Sequence, residues 1–106
     1  MVFVETTLFT KLLPRYFSDD EYGVFQKHLA EHPDAGDIIK GSGGCRKVRW
    51  AAGGKGKRGG VRIIYYWMGV KDHIYLFVIY GKSEKENLTP DDLKRVKVLL
   101  EDIENG

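Results

Sequence analysis

The sequence carries one cysteine, Cys45, in 106 residues. A lone thiol cannot build an internal disulfide framework, so a reducing cytoplasm is the expected compartment. No run of about 18 apolar residues is present, so no helical membrane span is expected. The opening stretch MVFVETTLFTKLLPRYF has no charged leader before an apolar run and no small-residue cleavage site, so no signal peptide is expected. The phosphate-loop pattern G-x-x-x-x-G-K-[ST] is also missing, and Cys45 has no partner for a metal site or a redox pair. No cofactor and no metal are expected.

Another absence is local. Between Gly41 and Arg62 there is no acidic residue, while seven cations stand there: Arg46, Lys47, Arg49, Lys55, Lys57, Arg58 and Arg62. The remainder holds ten Lys/Arg against fifteen Asp/Glu, so the net charge of +2 conceals a basic segment in a mildly acidic body. Folding alone does not favour crowding like charges. The asymmetry points to an anionic partner, nucleic acid first. With 42% hydrophobic and 30% charged residues, the chain has the mixture of a single globular domain, residues 1–106.

Periodicity and punctuation predict the elements. Val2–Val4 reads as a short strand. Thr6 or Thr7 caps a short helix that Pro14 ends. Ser18 and Glu21 form a capping box, Phe17 and Tyr22 its hydrophobic staple, and Tyr22, Phe25 and Leu29 the buried stripe of the next helix, stopped by Pro33. DIIKGSGG is a brief extended piece closing in a turn. In CRKVRW, Arg46, Val48 and Trp50 share one face, and Cys45, Lys47 and Arg49 the other. VRIIYYWM (Val61–Met68) is a central strand, and HIYLFVIYGK (His73–Lys82) is the next, with Leu76, Val78, Tyr80 and Lys82 on one face. Thr89, Pro90 and Asp92 start a last helix with the stripe Leu93, Val96, Leu100 and Ile103. This order predicts an α+β domain: an antiparallel-dominated sheet of about four strands, helices packed on one face, and a C-terminal helix. The other sheet face is expected to stay open and to hold the basic residues.

Three patterns carry chemistry. Gly54–Gly59, GKGKRG, formally fits G-x-G-x-x-G, but a strand follows it instead of the helix that a dinucleotide site requires. HLAEH (His28–His32) fits a metalloprotease pattern, yet that pattern belongs to much larger enzymes with a third ligand further on, and Pro33 ends this helix at once. The basic loop with Lys55, Lys57 and Arg58 is different. Glycines let its backbone approach a ligand closely, and Lys47, Arg49 and Arg62 flank it on strands. Tyr80, expected on the open face beside Lys82, would stack on unpaired bases.

GSGGCRKVRW, then GKGKRGGVRIIYYW, then IYLFVIYGKSEKENLT resembles the RelE/HigB superfamily of bacterial type II toxins, in its HigB-like branch. The resemblance runs from about Val2 to the last helix. It implies the compact RelE-like fold and a ribosome-dependent mRNA endoribonuclease that cleaves the codon in the ribosomal A site. It also implies a cognate antitoxin, commonly with a helix-turn-helix domain, and operator DNA bound only through that antitoxin.

Carried over by position, the resemblance gives Arg62 the scissile phosphate. It gives Lys47 and Arg49 RNA contacts and places Lys55 and Lys57 in the basic loop, in RNA-contact or acid/base roles; Arg46 and Arg58, the cations next to them, are expected to contact RNA as well. Lys82 and Tyr80 sit at the last strand's end. Several relatives place a tyrosine or histidine near the C-terminus as a catalytic partner; after Tyr80 this chain has neither.

The chemistry is compatible with metal-independent attack by the 2′-hydroxyl. Arginine pairs two phosphate oxygens and stays charged. Lysine titrates near 10.4 in isolation, and neighbouring cations lower that value toward a working base. The rival expectations are a non-catalytic RNA- or ribosome-binding module and a topoisomerase inhibitor of the ParE branch.

Overall fold

The computed structural model describes residues 1–51, 60–82, 84 and 87–105. The elements run β1 (Val2–Glu5), α1 (Thr7–Leu12), a 3-10 turn (Leu13–Arg15), α2 (Asp19–Glu31), β2 (Asp37–Ile38), β3 (Arg46–Trp50), β4 (Val61–Met68), β5 (His73–Gly81) and α3 (Pro90–Asn105). Helix starts follow their caps. Thr6 Oγ1 accepts from the Phe9 amide, and Ser18 with Glu21 forms a reciprocal box. At α3 the Thr89 amide donates to Asp92 and the Asp92 amide to Thr89 Oγ1. Each box satisfies two amides that helix geometry leaves without partners.

Among the described residues the strands form one sheet in the order β1-β5-β4-β3-β2. Only β1 and β5 pair in parallel; the other pairs are antiparallel. The count is five where the sequence predicts about four, because the extended piece at Asp37–Ile38 pairs with Lys47 and Arg46. The turn after it is built around Ser42, whose Oγ donates to the Ile39 carbonyl (2.6 Å) and accepts from the Cys45 amide (3.0 Å). Gly43 there has φ of 85°, and a Cβ on it would lie 2.9 Å from a Leu100 methyl.

Two hydrophobic clusters sandwich the sheet. Phe9, Phe25 and Leu29 from the N-terminal helices, with Phe17 from the link before α2, pack with Val48, Ile63, Tyr65, Leu76 and Ile79 on one face. Val96 and Leu100 of α3 pack with Cys45, Ile64, Phe77 and Tyr80 on the other. The face expected to stay open is therefore partly covered by the C-terminal helix. A register shift in the β4–β5 ladder at Ile64/Tyr65 leaves Phe77 as an extra residue on β5. Such a bulge breaks strict alternation. Leu76 consequently joins the first cluster while Val78 and Tyr80 belong to the second, not one shared face as the sequence predicts.

Cys45 lies in the second cluster and is fully buried. Burial pushes its thiol up to about 11; a Ser42 hydrogen bond opposes this and Glu104 adds to it. Thiolate is the reactive form. At pH 8 a disulfide-exchange reagent should label Cys45 about a hundredfold or more slowly in native buffer than in denaturant. Equal rates would contradict this packing.

Candidate functional site

On β3, β4 and β5 the alternation of a pleated strand sends every second residue toward α3. Near one end of that face the ladder aligns Arg49, Arg62 and Tyr80 in one row, since Arg49 pairs with Arg62 and Arg62 with Tyr80. The row runs inward from water: Arg49 is exposed, Tyr80 is 3% exposed and Arg62 1%. Two arginines directly opposite each other repel.

Arg62 is the anomaly of the structure. It is among the largest fully buried side chains, yet its Nε and Nη1 have no hydrogen-bond partner among the described residues. Each buried donor left unmade costs about 1–3 kcal/mol, and more on a charged group. A packing solution would have placed a methionine or leucine there. Unused donors on a residue that faces a second arginine across the ladder suit an anion that brings two acceptor oxygens.

Tyr80 stands next to Arg62 but does not serve as the expected stacking surface. It is enclosed in the α3-facing cluster because α3 and Leu88 cover that end of β5. Burial raises its pKa above 10, Arg62 pulls it down and Asp92 pushes it up, with a net rise. Its hydroxyl is thus protonated at neutral pH, which suits a proton donor and not a base.

Lys47 stands two residues before Arg49 on the same face, and its Nζ donates to Asn87 Oδ1 at 2.9 Å, tying β3 to the segment before α3. Sequence spacing gave no sign of this contact. Lys82 directly follows β5, half-buried, and its amide donates to the Gly60 carbonyl (3.2 Å), extending the β4–β5 pairing by one residue. A Cβ on Gly60 would lie 2.1 Å from the Trp50 carbonyl oxygen, so only glycine fits that close approach.

Arg46 is not brought to this group. It faces the N-terminal helices, and its Nη1 donates to the Gly36 carbonyl (2.8 Å) and the Asp34 carbonyl (3.3 Å). Its charge anchors the α2–β2 connection. Lys55, Lys57 and Arg58 lie outside the described residues.

Of the HLAEH pair, His28 and His32 have ring centroids 5.2 Å apart, and His28 also packs on Trp50. Among the described residues no group of three or more His, Cys, Asp or Glu side chains is placed to hold a metal ion. Among them, too, no helix is long and apolar enough to cross a membrane. No family model matches the chain.

Proposed function

We propose that the protein is the toxin of a type II toxin–antitoxin system: an mRNA endoribonuclease that acts in the ribosomal A site in the cytoplasm. The observation that carries this reading is the buried Arg62 guanidinium, with two nitrogens unused among the described residues and Arg49 and Tyr80 in its row. The resemblance to HigB-like toxins supplies the substrate. Its cognate partner is an antitoxin with a helix-turn-helix domain, through which alone it meets operator DNA.

RNA brings its own nucleophile. The ribose 2′-hydroxyl loses its proton, its oxygen attacks the adjacent phosphorus, and the bond to the 5′-oxygen of the next nucleotide breaks. Arg62 holds two phosphate oxygens as negative charge grows on them, the kind of electrostatic support worth about 10²–10³ in rate per donor. Tyr80, or Lys82 beyond it, delivers a proton to the departing 5′-oxygen. A lysine of the basic group, Lys57 or Lys82, takes the proton from the 2′-hydroxyl. Lys47 and Arg49 hold flanking phosphates.

A non-catalytic RNA- or ribosome-binding module is the second reading, and the enclosure of Arg62 and Tyr80 is the observation that favours it. Purified protein added to programmed, translating ribosomes separates the two. The nuclease reading expects a new mRNA end within the A-site codon, and loss of that end with Arg62→Ala while ribosome co-sedimentation persists. Intact mRNA on ribosomes that carry the bound, unmutated protein would leave only the binding module.

A further inference from the structure

We propose that the outer edge of β3 carries a nucleobase subsite, in which an unpaired base packs against Trp50 and His28 while Arg49 and Lys47 hold its phosphates. This rests on the RNA-directed reading above and specifies how the strand leaves the Arg62 row. β2 pairs only with Arg46 and Lys47. Val48, Arg49 and Trp50 therefore run along an edge that no described strand covers.

A cavity of about 620 Å³ opens there, lined by Asp37, Ile38, Lys47, Arg49, Trp50 and His28 among others. That is within the usual range for small-ligand sites, about 300–1,000 Å³. Its wall combines side chains from both sheet faces: Lys47 and Arg49 from the α3 side, Trp50 from the α2 side.

Trp50 is held in place before any ligand arrives. Its ring meets Phe25 edge-on at 5.3 Å and His28 in a tilted contact at 5.0 Å. Yet it is only partly buried and lines the cavity. A rigid indole beside two cations is the arrangement that binds single-stranded nucleic acid, because every base has a π-face and every linkage a charge. Asp37 gives the rim a polarity. Its carboxylate repels phosphate and accepts from a base amino group, so the base lies toward Asp37 and Trp50 and the phosphate toward Arg49. From β4 to β3 is one strand spacing, about 4.8 Å. A phosphate on Arg62 and the next on Arg49 thus carry the chain over the edge.

The test uses binding, not cleavage, so its failure is distinct from failure of the nuclease reading. Trp67, which does not line the cavity, is replaced in the full-length chain by Trp67→Phe, leaving Trp50 as the reporter. The probe is a single-stranded 2′-O-methyl hexa-adenylate, which cannot be cleaved, against an abasic strand of the same length.

The base-bearing strand should quench Trp50 and the abasic strand should not. Read by the fluorescence anisotropy of 5′-labelled strands, Trp50→Leu and His28→Ala should each weaken the base-bearing strand about tenfold and leave the abasic strand unchanged, while Arg49→Ala weakens both. Equal quenching by the two strands, or equal weakening of both by Trp50→Leu and His28→Ala, overturns the proposal. An edge built to receive a peptide strand gives no base-dependent quenching and overturns it equally. Base-dependent quenching by a protein that leaves mRNA intact sustains the subsite and removes the nuclease.

Discussion

Arg62→Met should give a protein at least as stable as the parent and nearly devoid of cleavage activity. The methionine side chain follows the path of the arginine stem and removes a charge whose Nε and Nη1 are unsatisfied among the described residues. Replacing buried charged groups with apolar ones of similar volume is often neutral or stabilising, by about 1–4 kcal/mol. The repulsion across the ladder from Arg49 goes as well. In a domain of this size each kcal/mol shifts the melting temperature by about 4–8 °C, so an unchanged or raised midpoint is readily measured.

On the nuclease reading proposed above, cleavage on programmed ribosomes should fall by about a hundredfold or more, because methionine leaves no donor for the phosphate at that position. A residue held for packing behaves in the opposite way. If Arg62→Met unfolds well below the parent while the remaining folded fraction still cleaves, Arg62 is a structural residue. The phosphate role then has no basis.

What the sequence revealed of this fold is what short-range chemistry decides. The boundaries of β4 rest on a run of adjacent β-prone residues, and the Ser18–Glu21 and Thr89–Asp92 boxes and the Thr6 cap on residues three apart. The placement of α3 does not. Its apolar stripe states that one side is buried but not against which sheet face, and Val96 and Leu100 prove to lie over Ile64 and Phe77.

That single tertiary fact encloses Tyr80, which strand periodicity alone assigns to an open surface. The bulge at Phe77 is equally invisible, since one extra residue in an apolar run leaves no mark in composition. Arg62 was legible as a cation on a central strand; that it is dry was not. Nor was Arg46's commitment to the Gly36 carbonyl, although its sharing a face with Val48 and Trp50 already separated it from Lys47 and Arg49.

Phe25→Ala should be the most destabilising change on α2. Phe25 is wholly buried, with Phe17 stacked at 5.6 Å and Trp50 edge-on at 5.3 Å. Truncating a buried phenylalanine costs about 3–5 kcal/mol, a large share of the roughly 5–15 kcal/mol that holds a domain folded. Val24, its neighbour on the same helix, is exposed, and Val24→Ala should change stability by only about 0.5 kcal/mol.

Urea unfolding of the two variants measures the contrast, and equal losses would mean that α2 does not dock through Phe25. The same substitution reaches the β3 edge, because the cavity left behind removes the ring against which Trp50 is set. Below its unfolding transition the folded Phe25→Ala protein should therefore bind the base-bearing strand more weakly, with the abasic strand unaffected. Preserved base-dependent binding would show that Trp50 needs no support from Phe25, leaving His28 alone to position the indole.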